Sequence, residues 1–323
     1  MLVFTNRAIK GDGTSIDDYQ DELGFGTSSQ FRVLEVSNSL NVELLGTSSN
    51  QDFRAAKKAI LDFKDELGDD NLVVYIHGYN NTLKSSVERC LKLEKLYGVK
   101  TLSMTWPTKL GPLNQSNARE SLQNARGSKK AFQAMLAILA RTLETSANKV
   151  TLAVHSQGCN VYQNVIELGS GGLSHDRFFE NIMLLAAHCR LSDHRRWVTK
   201  LQPRNKVFIT INEGDKVLRG ARHIRGMTYK RLGLAKDGLI KDVPKIEYED
   251  FAPHSSIFSE HSYFVNNLNR YEETVPFFEA AFNGRDAGKE VFDPNHRIER
   301  SYLWYLKRIN GVHFPPSLLS GDR

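Results

Sequence analysis

Cysteine is nearly missing from this sequence: 323 residues carry three, Cys90, Cys159 and Cys189. An odd number without CxxC spacing excludes a disulfide framework or a zinc ribbon and suits a reducing cytoplasm. Long apolar runs are also missing. None approaches the roughly 20 residues that cross a bilayer, so no membrane segment and no membrane partner is expected. The start, Met1-Leu-Val-Phe-Thr-Asn-Arg7, lacks the basic leader, apolar stretch and small-residue cleavage site of an export signal. Charge of one sign is scarce too: 43 Lys and Arg against 37 Asp and Glu leave a formal net charge of +6. That excess is modest, and no helix-turn-helix, zinc-finger or RNA-binding signature accompanies it, so nucleic acid is not an expected partner. Internal repeats and low-complexity tracts are absent.

What is present is a globular composition, 40% hydrophobic and 25% charged, enough to bury a large core without staples. Apolar, β-branched runs predict strands at Phe31–Val36, Asn41–Leu45, Leu72–Ile76, Thr101–Thr105, Val150–Val154, Ile182–Ala186, Val207–Ile211 and Lys245–Tyr248. Helical patterns fall between them at Asp52–Leu67, Leu83–Tyr97, Asn117–Leu143, Asn160–Leu168 and Asp193–Leu201. In the longest, Phe132, Met135, Leu136, Leu139 and Leu143 recur at steps of three and four, one apolar stripe. Alternation from about residue 50 to about residue 210 predicts right-handed crossovers and an α/β fold with a mostly parallel, doubly wound sheet flanked by helices. The first two predicted strands fit an antiparallel edge.

The expected organisation is one catalytic domain over residues 1–270 with an insertion at 216–244, then a helical extension packed on it at 271–323. The insertion is basic, with Arg219, Arg222, Arg225, Lys230, Arg231, Lys236 and Lys241, and reads as a loop or small cap before the last candidate site residue. The extension carries an aromatic cluster, Tyr302, Trp304 and Tyr305.

In open sheets of this kind, ligands sit beyond the carboxyl ends of the strands. There the sharpest signal is Val150-Thr-Leu-Ala-Val-His-Ser-Gln-Gly-Cys-Asn160, a buried strand, a tight turn with Ser156 at its apex, then a helix. A serine hydroxyl needs exposure, aim and a base to attack a carbonyl; the elbow supplies the aim, and Gly158 permits close backbone approach. Val154 replaces the small residue usual two positions before such a serine, and a helix-capping serine is the plainer alternative. Upstream, Leu72-Val-Val-Tyr-Ile-His-Gly-Tyr-Asn-Asn81 ends an apolar strand in His-Gly. Acyl transfer builds negative charge on an oxygen, which backbone N–H groups can stabilise; Gln157 and Tyr79 are the candidate donors.

An acid is expected after a later strand. Val207-Phe-Ile-Thr-Ile-Asn-Glu-Gly-Asp215 offers Asp215, with Glu213 and Asp193 as competitors and a plain turn aspartate as the alternative. For the base, Pro253-His-Ser-Ser-Ile-Phe-Ser-Glu-His-Ser-Tyr-Phe-Val265 offers His254 and His261. His261 is favoured because it precedes an apolar run that reads as the start of a final helix, and because the order Ser156, Asp215, His261 is that of α/β-hydrolases.

Together, Phe4-Thr-Asn-Arg7, Tyr75-Ile-His-Gly-Tyr-Asn-Asn81, Trp106-Pro-Thr108, His155-Ser-Gln-Gly158, Asn212-Glu-Gly-Asp215 and His261-Ser-Tyr263 resemble a bacterial family of α/β-hydrolases of unknown function, lipase- and esterase-like. The resemblance spans roughly residues 1 to 270. It implies the α/β-hydrolase fold, with Ser156 as nucleophile, Asp215 as acid, His261 as base, and neither metal nor organic cofactor. Where that family tends to have alanine-proline-aspartate, this chain has Ala186-Ala-His-Cys189. Further candidates for substrate contact are His77, Trp106, His155 and His188, each equally readable as a packed or loop-satisfying side chain. Cys159 reads as small core filler. The expected activity is hydrolysis of a small-molecule carboxylic ester through an acyl-enzyme. Amide or thioester cleavage by the same residues, or a non-catalytic binding module on this fold, are the alternatives.

Overall fold

The computed structural model describes residues 1–48, 53–144, 146–169, 176–224, 227–251, 259–265 and 274–287. Strands are β1 (Leu2–Thr5), β2 (Arg7–Ile9), β3 (Tyr19–Leu23), β4 (Arg32–Val36), β5 (Val42–Thr47), β6 (Leu72–Ile76) and β7 (Lys100–Thr105). They continue with β8 (Val150–His155), β9 (Asn181–Leu185), β10 (Lys206–Ile211) and β11 (Ile246–Asp250). Helices are α1 (Phe53–Glu66), α2 (Leu83–Tyr97), α3 (Gln115–Leu143), α4 (Gly158–Leu168), α5 (His194–Val198), α6 (Lys216–Ala221) and α7 (Val275–Phe282). None of the described helices is long and apolar enough to cross a membrane.

Among the described residues nine strands form one sheet in the order β11-β10-β9-β8-β6-β7-β1-β4-β5. Pairing is parallel from β11 through to β1 and antiparallel at β1–β4 and β4–β5, so the expected antiparallel edge is present. Strands β6 and β8 are buried at every position because helices cover both faces of the sheet's middle, which is why they read as unbroken apolar runs. The chain leaves β6 toward β7 on one side, then crosses back through α3 to β8 on the other. The carboxyl ends of β6 and β8 therefore meet at a point where strand order reverses, the place where such sheets leave a crevice.

Local chemistry accounts for the helices around that crevice. Thr82 caps α2 by accepting from the Ser85 N–H at 3.0 Å, and Gly98 ends it in the left-handed region at φ 61°. Asn114 caps α3 through the Asn117 N–H, and the expected stripe Phe132, Met135, Leu136, Leu139 and Leu143 is buried against the sheet's core cluster. Each large apolar side chain so placed contributes about 1.5–3 kcal/mol.

The structure departs from expectation in several places. β1 was not anticipated, yet its four buried residues lie between β7 and β4 and join the parallel and antiparallel parts of the sheet. Four apolar residues carry too little periodicity to signal a strand. β2 and β3 form a separate antiparallel pair whose half-exposed, polar sequence gave no signal. α5 stops at Val198 rather than Leu201.

No helix starts within Ser262–Val265: these residues form turns, and Tyr263, Phe264 and Val265 are buried. The Tyr263 and Phe264 rings join an aromatic cluster with Phe251, Phe277 and Phe278, the last two from α7, at centroid distances of 5.1 to 6.5 Å. The apolar run thus anchors a loop instead of forming a helical stripe. The segment at 216–244 begins with α6 and later packs Leu232, Gly233 and Leu234 inside the protein. Arg225, His254 and the Tyr302, Trp304 and Tyr305 cluster lie outside the described residues.

Candidate active site

Ser156 follows β8 directly, and its backbone holds φ 52°, a left-handed conformation that a residue with a Cβ adopts only under constraint. The constraint is visible. The Ser156 N–H donates to the Leu185 carbonyl at 2.8 Å, while the Ser156 carbonyl accepts from the His188 and Cys159 N–H groups, each at 3.1 Å. Two glycines make room. A Cβ on Gly158 would lie 2.5 Å from the His77 carbonyl oxygen, and one on Gly78 would lie 2.8 Å from the Ser156 Cβ. The turn therefore closes only where these two positions lack side chains.

Asp215 begins α6 and is fully buried; its Oδ1 accepts from the Val217 and Leu218 N–H groups, both at 2.9 Å. Oδ2 is left for His261 Nδ1, 2.6 Å away, and His261 Nε2 stands 2.8 Å from Ser156 Oγ. A carboxylate can only accept, so Nδ1 carries the hydrogen and Nε2 is free to accept from the serine hydroxyl. The structure thus brings together three side chains from the ends of β8, β10 and the loop before α7. The competing acids are engaged elsewhere: Glu213 pairs with Lys236, and Asp193 accepts from the Ser192 hydroxyl at 2.8 Å.

Three side chains tie down the described part of the His261 loop. Asn212 Nδ2 donates to the Glu260 carbonyl at 3.1 Å, Arg89 to Ser262 Oγ at 2.7 Å, and the Tyr97 hydroxyl to the Phe264 carbonyl at 2.7 Å. Sequence reasoning assigned no role to Arg89 or Tyr97, and no local signal could have, since each lies more than a hundred residues from its partner.

Across the crevice, the loop after β6 has its carbonyls occupied. Asn81 Nδ2 donates to the Gly78 and Tyr79 carbonyls at 3.3 and 2.7 Å, and buried Arg7 donates to the Asn81 carbonyl at 2.7 Å. Tyr79 is pinned from its other end, its hydroxyl donating to the Gly111 and Pro112 carbonyls. Among the described residues the N–H groups of Tyr79 and Gln157 donate to no protein acceptor. Arg7 and Asn81 belong to motifs visible in the sequence, but their shared task of fixing this loop was not.

His77 and Trp106 do not reach solvent. The Trp106 N–H donates to His77 Nε2 at 3.1 Å, Trp106 Nε1 donates to the His77 carbonyl at 2.9 Å, and the rings stack at 5.6 Å. His77 Nδ1 donates to the Gly78 carbonyl at 2.9 Å. Both side chains therefore stand behind the crevice with their polar atoms engaged, where substrate contact had been one expectation. His155 packs its ring 4.8 Å from that of His261, and its Nε2 lies 3.4 Å from the His261 carbonyl. His188 sits on the loop after β9, its Nδ1 3.3 Å from Asn160 Oδ1.

Burial holds His77 and His155 well below the ordinary histidine value, with Arg7 and His261 respectively adding to the effect. Burial, then Arg231 and His261, pushes His188 down to about 3. Unfolding would return all three to about 6.5. Below that pH the unfolded chain binds more protons than the folded one, so stability falls as pH drops from about 6.5 toward the folded values. Each ring contributes a slope of up to about 1.4 kcal/mol per pH unit. Urea midpoints are expected to fall on acidification through this window, less steeply in His188→Asn. An unchanged slope in that variant would show that His188 is not held neutral.

A family profile described as "Alpha/beta hydrolase of unknown function (DUF900)" matches residues 53–239, more than half of the chain. The chain belongs to this family. The α/β-hydrolase fold seen in the sheet is thus shared with it, and the matched span includes Ser156 and Asp215 but ends before His261, short of the 1 to 270 that the motifs had suggested. No curated protein matches the chain. Among solved structures, Trichoderma reesei cutinase in complex with a C11Y4 phosphonate inhibitor is similar at 16% identity, over 57% of this chain and 84% of that one, with a TM-score of 0.30. At that level the likeness bears on neither substrate nor mechanism. As a family member with this fold, the protein is a hydrolase in the general sense.

Proposed function

We propose that the protein is a serine hydrolase that cleaves a carboxylic ester through an acyl-enzyme. The observation that carries the reading is one imidazole, His261, bonded to a buried carboxylate at 2.6 Å and to the hydroxyl of a strained serine at 2.8 Å. In this scheme His261 Nε2 takes the hydroxyl proton as Ser156 Oγ bonds to the ester carbonyl carbon, and Asp215 stabilises the imidazolium. The oxygen that gains negative charge faces the unengaged N–H groups of Gln157 and Tyr79, donors of the kind worth about 3 kcal/mol each in acyl transfer. Collapse breaks the bond to the alkoxy oxygen, His261 returns the proton to the departing alcohol, and water then frees the acid by the same steps in reverse.

A fluorophosphonate probe tests this directly. Labelling is expected on Ser156 by mass spectrometry, absent in Ser156→Ala and much slower in His261→Ala. Native protein that takes no label and turns over no p-nitrophenyl ester would rule the reading out and favour a binding module. Parallel assays with p-nitrophenyl esters, thioesters and anilides rank the leaving group.

A further inference from the structure

Beside Ser156 the loop after β9 and the returning segment before Leu234 are zipped together. Leu191 N–H donates to the Lys230 carbonyl, Leu232 N–H to Cys189, and Gly233 N–H to Ala187, all at 2.9 Å, with Arg190 and Arg231 facing each other as an antiparallel bridge. This ribbon starts at the nucleophile, because the His188 N–H donates to the Ser156 carbonyl. Along it stand His188, Arg190, Tyr229 and Arg231. The guanidinium carbons of Arg190 and Arg231 lie over the Tyr229 ring, 4.4 and 4.6 Å from its centroid, and the His188 ring meets Tyr229 edge-on at 6.3 Å.

The charge here is uncompensated. Among the described residues no carboxylate lies within ion-pair distance of Arg190, Arg231 or the neighbouring Arg222: Asp237 pairs with Lys230, Asp242 with Arg195 and Glu213 with Lys236, while Asp193 accepts from the Ser192 hydroxyl. Arg231 is fully buried; it donates to the Ala221, Met227 and Tyr229 carbonyls, but its Nε has no acceptor among the described residues. Those carbonyl bonds give Arg231 a structural task. Arg190 has none: it is exposed, makes no hydrogen bond or ion pair among the described residues, and its guanidinium lies over Tyr229. Two guanidiniums on one ring repel each other, and a buried cation without a counter-charge is costly, so an anion supplied from outside relieves both.

We infer that the ribbon carrying His188, Arg190, Tyr229 and Arg231 is a subsite for an anionic group, a carboxylate or a phosphate, on the substrate of the Ser156 site. Tyr229 holds the Arg190 guanidinium by cation–π contact, ready for a bidentate bond to the anion. The inference rests on the serine-hydrolase reading for its link to turnover, but not for the binding itself.

The test compares the p-nitrophenyl monoester of glutaric acid, which keeps a free carboxylate, with p-nitrophenyl butyrate. Native protein is expected to favour the anionic ester in kcat/KM by about tenfold or more, with the ratio falling as salt rises and dropping toward parity in Arg190→Gln. Lys58→Gln, a charge change on α1 outside the cluster, should leave the ratio where it was. Equal rates on the two esters, or an Arg190→Gln ratio equal to native, would overturn the subsite. Calorimetric titration of Ser156→Ala with glutarate and with inorganic phosphate gives the second arm. Binding that disappears when Arg190→Gln is added supports the subsite, and the tighter anion identifies its class. Binding of neither anion overturns it. Anion binding with no labelling of Ser156 would sink the hydrolase reading while leaving the subsite intact.

Discussion

Asp215→Asn is expected to lower ester turnover by about 10⁴-fold while leaving the protein nearly as stable as native. The two oxygens of Asp215 do separate jobs: Oδ1 caps α6 through two N–H groups, and Oδ2 faces His261. An asparagine keeps a carbonyl oxygen for the cap but turns an NH₂ toward Nδ1. Two donors cannot face each other at that distance, so the ring adopts the tautomer with its hydrogen on Nε2 and can no longer accept from Ser156. Asp215→Ala should lose the same activity and, in addition, about 1 kcal/mol or more of stability with the cap. Steady-state kinetics beside thermal melts of both variants separate the effects. Asp215→Asn turnover within about tenfold of native would remove the carboxylate from the mechanism.

Gly158→Ala is expected to cost about 3 kcal/mol of stability or more, as when a packed interior is forced apart. The added methyl would lie 2.5 Å from the His77 carbonyl oxygen and 3.0 Å from that of Ile76. Both are backbone atoms at the end of β6 and cannot swing aside as a side chain would. α4 must retreat from β6, and because α4 begins two residues after Ser156, the hydroxyl retreats from His261 with it. Denaturant unfolding and fluorophosphonate labelling should both fall. Gly220→Ala is the control: nothing lies within 4 Å of a Cβ there, and alanine in α6 should be neutral or slightly stabilising. Equal stability of the two variants would mean that β6 and α4 do not pack as closely as these distances require.

How much of this was legible beforehand differs by element. The central strands announced themselves because burial on both faces makes a strand uniformly apolar, as in Leu72–Ile76. β1 is just as buried, but with four residues it has no pattern to read; only its pairing with β7 and β4 makes it a strand. The turn at Ser156 was visible as a strand, a tight turn closed by Gly158 and a helix in succession. That His77 and Trp106 satisfy each other was not, since an apolar strand end followed by His-Gly looks the same whether its imidazole faces a ligand or an indole.

The sequence by itself determined the periodicities, the glycines at 78 and 158, and the order in which serine, aspartate and histidine occur, because each of these is a property of neighbours along the chain. Tertiary structure alone decided that His261 meets both Asp215 and Ser156, that Arg7 fixes the Tyr79 loop, and that Arg190 and Arg231 converge on Tyr229. Apart from the neighbours Tyr229 and Arg231, these contacts join residues far apart in the chain, and a linear pattern carries no term for the distance between segments that are not consecutive.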